Sequence, residues 1–287
     1  MTEMEHSGKP ALASKFVSGV ALFAVVAVIG LWAPPLLWCA LILFSIAAAA
    51  SECVRMLGRA SARGVLVGAV LGLTLLPVVG GSPQSVPLRV SCYLATLVLT
   101  FVVAWRLRRN AVAPRPGRGM LAGSVGAAGA LLSCGLLAAI TLRELRGGPW
   151  LVTLVVLAAW SGDMGAGVLT QRFVPTPTPM WTWASPRKNW EGTTFGAASS
   201  TAAVVLVVWV LEVPIPTAIV ARIVVASWFC RPVGDLAESA IKRLADARDS
   251  GTYRVVPEHG GVFDRIDSLT VAFPVTYLVV SDFIGNA

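Results

Sequence analysis

Nine apolar runs, at 16–33, 36–54, 64–80, 90–105, 120–142, 150–170, 194–210, 217–240 and 269–280, leave this chain few ways to fold. Most approach the roughly 20 residues that a helix needs to cross the hydrocarbon core of a bilayer. In that medium a segment must satisfy its own backbone N–H and C=O groups, and apolar runs of this length without alternation read as helices. With 56% hydrophobic and 13% charged residues, too little polar sequence remains to build a large soluble domain. The expected fold class is all-α, a polytopic integral membrane helix bundle of about nine transmembrane helices. The ninth run is short for a crossing unless residues 264–268 extend it as helix.

Loop cations orient the bundle. With the N-terminus cytoplasmic, every one of the 23 lysines and arginines except Arg89, Arg143, Arg146 and Arg222 falls on an inner segment, the asymmetry that the positive-inside rule describes. The C-terminus is then expected outside. The first run lacks a small-residue cleavage site, so residues 1–15 read as a cytoplasmic tail before a retained helix. The net charge of +8 belongs to this loop asymmetry, because the basic residues sit between apolar spans and on no nucleic-acid-binding motif. A nucleic-acid partner is set aside. Gly64, Gly68 and Gly72 have the small-residue spacing that suits helix association, a homodimer included. Cys39, Cys53, Cys92, Cys134 and Cys230 show no metal-ligand spacing and are expected as free thiols, while the two histidines, His6 and His259, cannot build a histidine-based metal cluster. Arg222, inside the eighth run, is expected to snorkel outward or pair with Glu212.

Two features break the apolar pattern. Asp163 lies well inside the sixth run, where an unpartnered acid costs several kcal/mol unless it faces protein, water or a ligand. Residues 234–267 gather Asp235, Glu238, Lys242, Arg243, Arg248, Asp249, His259, Asp264, Arg265 and Asp267. On a helix, Asp235, Ser239 and Lys242 fall at i, i+4 and i+7 and share a face, and Asp264 and Asp267 do so at i, i+3. The loop 255–261, bounded by proline and glycine, can bring backbone N–H groups to an anion. Carboxylates interleaved with cations suit the joint holding of a divalent metal and phosphate.

The order of these residues is specific. Ser239-Ala-Ile-Lys242-Arg243, then Arg248-Asp249, then His259-Gly-Gly-Val-Phe-Asp264-Arg265-Ile-Asp267-Ser268 closely resembles the signature of the phosphatidate cytidylyltransferases, the CDP-diacylglycerol synthases. Ser185-Pro-Arg-Lys188 followed by Glu191-Gly192, and Asp163-Met-Gly-Ala166, resemble two further segments of that family. The resemblance covers roughly 160–268. The chain departs from the family at Arg248, usually Lys, at Glu258, usually Gly, at Asn189, usually Thr, at Gly167, usually Tyr, and in a longer loop between Gly251 and Pro257.

The resemblance implies transfer of CMP from CTP to phosphatidic acid, giving CDP-diacylglycerol and pyrophosphate in phospholipid biosynthesis. It also implies a bacterial inner or plasma membrane protein with its site facing the cytoplasm, and a division into the tail 1–15, an N-terminal transmembrane part 16–148 and a catalytic part 149–287. Its partners are then CTP, phosphatidic acid and membrane lipid. Lys242, Arg243, Arg248, Asp249, His259 and Arg265 are the implied catalytic residues, with His259 a phosphate or loop-ordering contact rather than a base. Asp163, Ser185, Lys188, Glu191 and Ser239 are the implied substrate-binding set, Lys188 on the triphosphate and Ser185 or Glu191 on ribose or metal-bound water. The eighth run ends near Asp235 and the ninth begins after Asp267 on the same face, so Asp235, Asp264 and Asp267 are expected to form one site for Mg2+, with a second cation beside it. Two other readings stay open. One is a CTP-dependent cytidylyltransferase or kinase acting on an isoprenoid or ether lipid. The other is a non-catalytic anion-binding or transport protein, against which stands the lack of repeated halves and of an outer charge cluster.

Overall fold

The computed structural model describes residues 12–57, 118–181, 185–244 and 261–284. Among them are seven helices, α1 (Leu12–Trp32), α2 (Pro35–Leu57), α3 (Arg118–Glu144), α4 (Gly148–Phe173), α5 (Trp190–Val210), α6 (Thr217–Leu244) and α7 (Phe263–Ile284). The spans expected at 64–80 and 90–105 lie outside the described residues. Four helices are long and apolar enough to cross a membrane, namely α2, α4, α5 and α6. Large apolar side chains on α2 and α5, Leu36, Phe44, Trp209 and Val210 among them, are exposed, as a lipid-facing surface requires.

The described residues are helical as the all-α expectation has it, with one short exception. Between α4 and α5 the chain forms an antiparallel ribbon of β1 (Pro179–Trp181) and β2 (Ser185–Asn189), with Pro179 opposite Asn189 and Trp181 opposite Ser185. Prolines at 175, 177 and 179 remove helix donors and push each preceding residue toward extended backbone, so helix α4 cannot continue and a strand can begin. Asn189 then caps α5, its side chain accepting the Gly192 N–H at 2.6 Å. At the opposite end of the bundle, Gly147 takes the left-handed conformation that glycine tolerates, and Pro149 occupies the first turn of α4.

Helix α4 packs along α5, α6 along α7, and α7 also along α3. Two glycines set the last two approaches. A Cβ on Gly135 of α3 would overlap the α7 backbone at Thr270, and one on Gly234 of α6 would overlap it at Asp267 and Ser268. Such small-residue contacts serve helices that lipid does not squeeze together. As expected, α7 begins before the ninth apolar run, at Phe263, and so carries Asp264 and Asp267 on its first turns. Helix α6 runs unbroken through Pro232 into the charged stretch.

Two arginines close the other end. Arg143 donates to the carbonyls of Gly30 at 2.9 Å, in the last turn of α1, and of Ala33 at 2.5 Å, just beyond it, where a cation satisfies groups the helix end leaves open. Arg222 is exposed, and its Nη1 donates at 2.7 Å to the carbonyl of Val279 on α7. The described cysteines, Cys39, Cys53, Cys134 and Cys230, are free, as expected.

Candidate active site

Close packing of α6 on α7 at Gly234 sets Asp235 beside the first turns of α7, and the β-ribbon brings Lys188 over the same point. Lys188 pairs with Asp235. The aspartate side chain is 5% exposed and the lysine 38%, so a buried carboxylate holds a cation that still reaches water. Behind this pair lies a cavity of about 250 Å³ lined by Asp163, Lys188, Asn189, Thr193, Arg231 and Asp235 among others.

Arg231 forms its floor. Its guanidinium, 4% exposed, pairs with Asp163 at 3.2 Å and donates to the carbonyl of Thr193 at 3.3 Å. It fits because Gly162 and Gly196 have no side chains, and a Cβ on Gly196 would fall on the guanidinium. Asp163 thus has the partner that its depth demands. Its second oxygen accepts from Ser268 Oγ at 3.4 Å, while the Ser268 N–H donates to Asp267 at 2.7 Å. Ser268 therefore ties Asp163 of α4 to Asp267 of α7.

Asp267 precedes the apolar stretch of α7. Burial first, and the Asp163 charge second, push its carboxyl up to about 7, with Lys188 opposing the shift. Two acids held together in this way, with hard oxygen donors, fit a magnesium ion that shares its remaining positions with water and substrate phosphates. The expected trio is not gathered, however. Asp264 instead pairs at 2.8 Å with Lys242, which also pairs with Glu238, and it accepts the Gly261 N–H at 3.2 Å. Among the described residues no three histidine, cysteine or acidic side chains group closely enough to hold one metal. The partners differ although the i, i+3 spacing puts both acids on one side of α7: Lys242 of α6 takes Asp264, while Ser268 links Asp267 to Asp163 of α4.

The remaining expected residues divide. Ser185 is buried on β2. Glu191 does not line the cavity; its carboxylate receives the Thr178 N–H at 3.0 and 3.2 Å and so fixes the strap leading into β1. Ser239 is half-buried on α6 and also stays off the cavity wall. Arg265 lies beside an apolar slot, and its carbonyl accepts from Trp160 Nε1 at 3.1 Å. Arg243 is on α6 with its side chain outside the described residues, as are Arg248, Asp249 and His259 entirely.

Two residues of the site went unsuspected in the sequence. Arg231 reads there as one more inner cation, although it stands four residues before Asp235 on the same helix face. Glu52 of α2 is fully buried and receives the N–H groups of Val262 at 2.8 Å and Phe263 at 2.9 Å, clamping the start of α7. A buried carboxylate at a helix N-terminus satisfies orphan donors and opposes the positive end of the dipole. The signal for it was the one that marks Asp163, an acid within an apolar run.

Residues 14–283 match the model of the cytidylyltransferase family. A phosphatidate cytidylyltransferase of Brucella suis biovar 1 (strain 1330) is 36% identical over 150 residues, which cover 49% of this chain and 52% of that protein. One from Bacillus subtilis (strain 168) is 32% identical over 124 residues, 43% of this chain and 45% of that protein. The chloroplastic phosphatidate cytidylyltransferase 4 of Arabidopsis thaliana is 32% identical over 161 residues, 51% and 40% of the two. The chain spans about half the length of the curated relatives it matches.

Proposed function

The chain belongs to the cytidylyltransferase family, and on that premise we propose that it transfers CMP from CTP to phosphatidic acid, releasing pyrophosphate. A phosphate oxygen of the lipid forms a bond to the α-phosphorus of CTP, and the bond from that phosphorus to the bridging oxygen of pyrophosphate breaks. The lipid phosphate is already ionised near neutral pH, so the reaction needs alignment and charge neutralisation more than a base.

The observation that carries this reading is the Lys188–Asp235 pair at the mouth of a cavity floored by Arg231 and Asp163. Lys188 exchanges Asp235 for the triphosphate as CTP enters, a trade of one oxyanion for another with little net desolvation. Arg231, locked by Asp163 and Thr193, presents a fixed positive charge that needs no reorganisation in the transition state. Asp267 and Asp163, which Ser268 links, would hold Mg2+. When bound, that ion neutralises developing charge on the phosphate oxygens. Lys242 and Arg265 serve the lipid phosphate, together with Arg243 of α6 and Arg248 and His259 of the signature loop.

The finer topology completes the proposal: about nine spans, N-terminus cytoplasmic and C-terminus outside, in the inner or plasma membrane of a bacterium, with the site on the cytoplasmic side where CTP is found. The loop-cation asymmetry supports it. The test is to incubate purified protein with phosphatidic acid, Mg2+ and CTP labelled on the α-phosphate. Label in the lipid fraction is expected, and lipid labelled only from γ-labelled CTP would make the protein a kinase instead.

A further inference from the structure

Beneath the charged cluster lies a second cavity of different chemistry. It is a slot of about 170 Å³ between α1, α2, α3, α4 and α7, walled by Val26, Trp38, Phe44, Leu136, Leu269 and Phe273 and others almost all apolar. Its upper end is formed by Gly261, Val262, Trp160 and Arg265. Along α7 it reaches from Val262 to Phe273, a descent of roughly 16 Å at 1.5 Å per residue. The upper end sits where Glu52 clamps α7, and the lower end reaches Trp38, whose indole is fixed by donation to the Ala139 carbonyl. Phe44 on its wall is 61% exposed while Leu136 and Phe273 are 1% exposed, so the slot leads inward from the outer face of α2.

An apolar slot of this depth with one cation at its head matches one ligand chemistry, an acyl chain that ends in an anionic headgroup. Water gains nothing there, because the walls supply almost no polar partners. Arg265 stands one position after Asp264 and two before Asp267 on the first turns of α7. A phosphate at the head of the slot therefore lies beside the turns that carry Asp267 and Ser268, and Ser268 donates to Asp163 on the wall of the first cavity. We infer that this slot holds one acyl chain of the phosphatidic acid substrate and that Arg265 holds its phosphate, so that chain insertion aims the nucleophile at CTP. The inference rests on the reaction proposed above and adds to it where the lipid lies.

Ser45 lines the slot and is half-buried, its hydroxyl turned to the carbonyl of Leu41, so Ser45→Phe fills the space without orphaning a buried polar group. With α-labelled CTP, the variant is expected to lose about tenfold in kcat/KM for a phosphatidic acid with 16-carbon chains, and less than twofold for one with six-carbon chains. The KM for CTP should not move. Val26→Phe, from the opposite wall, repeats the test should Ser45→Phe fail to fold. Equal losses on both lipids, or none on either, would overturn the inference. A second measurement is independent of turnover: 16-carbon phosphatidic acid carrying a diazirine at mid-chain is photolysed on the protein in phosphatidylcholine nanodiscs. Adducts are expected at the buried residues Leu136, Leu269 and Phe273, and to fall at least fivefold in Ser45→Phe. Adducts confined to exposed α2 and α5 side chains would sink the slot even if CMP transfer is found, whereas slot adducts without transfer would retain the lipid site and remove the proposed reaction.

Discussion

The two ends of the bundle use their arginines differently. At the end expected outside, Arg143 and Arg222 spend their donors on main-chain carbonyls of α1 and α7. At the end expected inside, Lys188, Arg231 and Lys242 are paired with side-chain carboxylates, Asp235 of α6, Asp163 of α4 and Asp264 of α7. A cation bound to a main-chain carbonyl of a neighbouring helix fastens the two helices and does little else. A carboxylate, by contrast, can hand its cation to an incoming phosphate and accept a metal in exchange. Charges held on backbone are structural, and charges held on other charges beside a cavity are available for chemistry.

That contrast is open to test, starting where the largest effect is expected. Asp267→Asn should lower turnover by about two orders of magnitude or more, the cost of removing charge stabilisation in a transition state. Circular dichroism should still report a folded helical protein. Asp264→Asn, which weakens the hold on Lys242 and on the Gly261 N–H, should lose markedly less. If the two losses are equal, the separation of Asp264 from Asp267 described above is mistaken.

Lys188→Ala comes next. It should raise the KM for CTP and lower kcat/KM by about 10- to 100-fold, as expected of a charge-assisted phosphate contact. Unchanged kinetics would leave Lys188 as a mere partner of Asp235. Glu52→Ala should reduce turnover about tenfold by loosening the start of α7, since a clamp sets geometry rather than touching substrate. Faster amide exchange of residues 262–264 should accompany that loss, and an active variant with unaltered exchange would remove Glu52 from the site.

Arg143→Ala is expected to have the smallest effect on activity, within about twofold. It should cost about 1.5–3 kcal/mol of stability, the usual worth of hydrogen bonds to a charged group, seen as a lower thermal midpoint in detergent. Should it instead disable turnover as Lys188→Ala does, the distinction between the two ends would fail.

Much of this molecule is legible without coordinates, for physical reasons. Backbone groups in a bilayer leave a long apolar run little choice but a helix, so α2, α4, α5 and α6 follow from hydropathy. Depth alone marks Asp163 as needing a partner, and the extension of α7 back to Phe263 follows from the shortness of the ninth run. What the sequence could not decide is which partner each charge takes. Partner choice depends on the azimuth at which helices meet, and that is fixed by contacts such as Gly234 on Asp267 and Gly196 on Arg231. A rotation of α7 by one residue would turn Asp267 away from Asp163. Hence Asp235, Asp264 and Asp267, adjacent in reasoning about topology, part company in space, while Glu52 and Val262, 210 residues apart, meet. Composition and order determine a helical membrane protein of the cytidylyltransferase family. Only tertiary packing assigns Lys188 to Asp235, Arg231 to Asp163 and Glu52 to the start of α7, because side-chain pairing is set within a few ångströms and no local pattern carries that information.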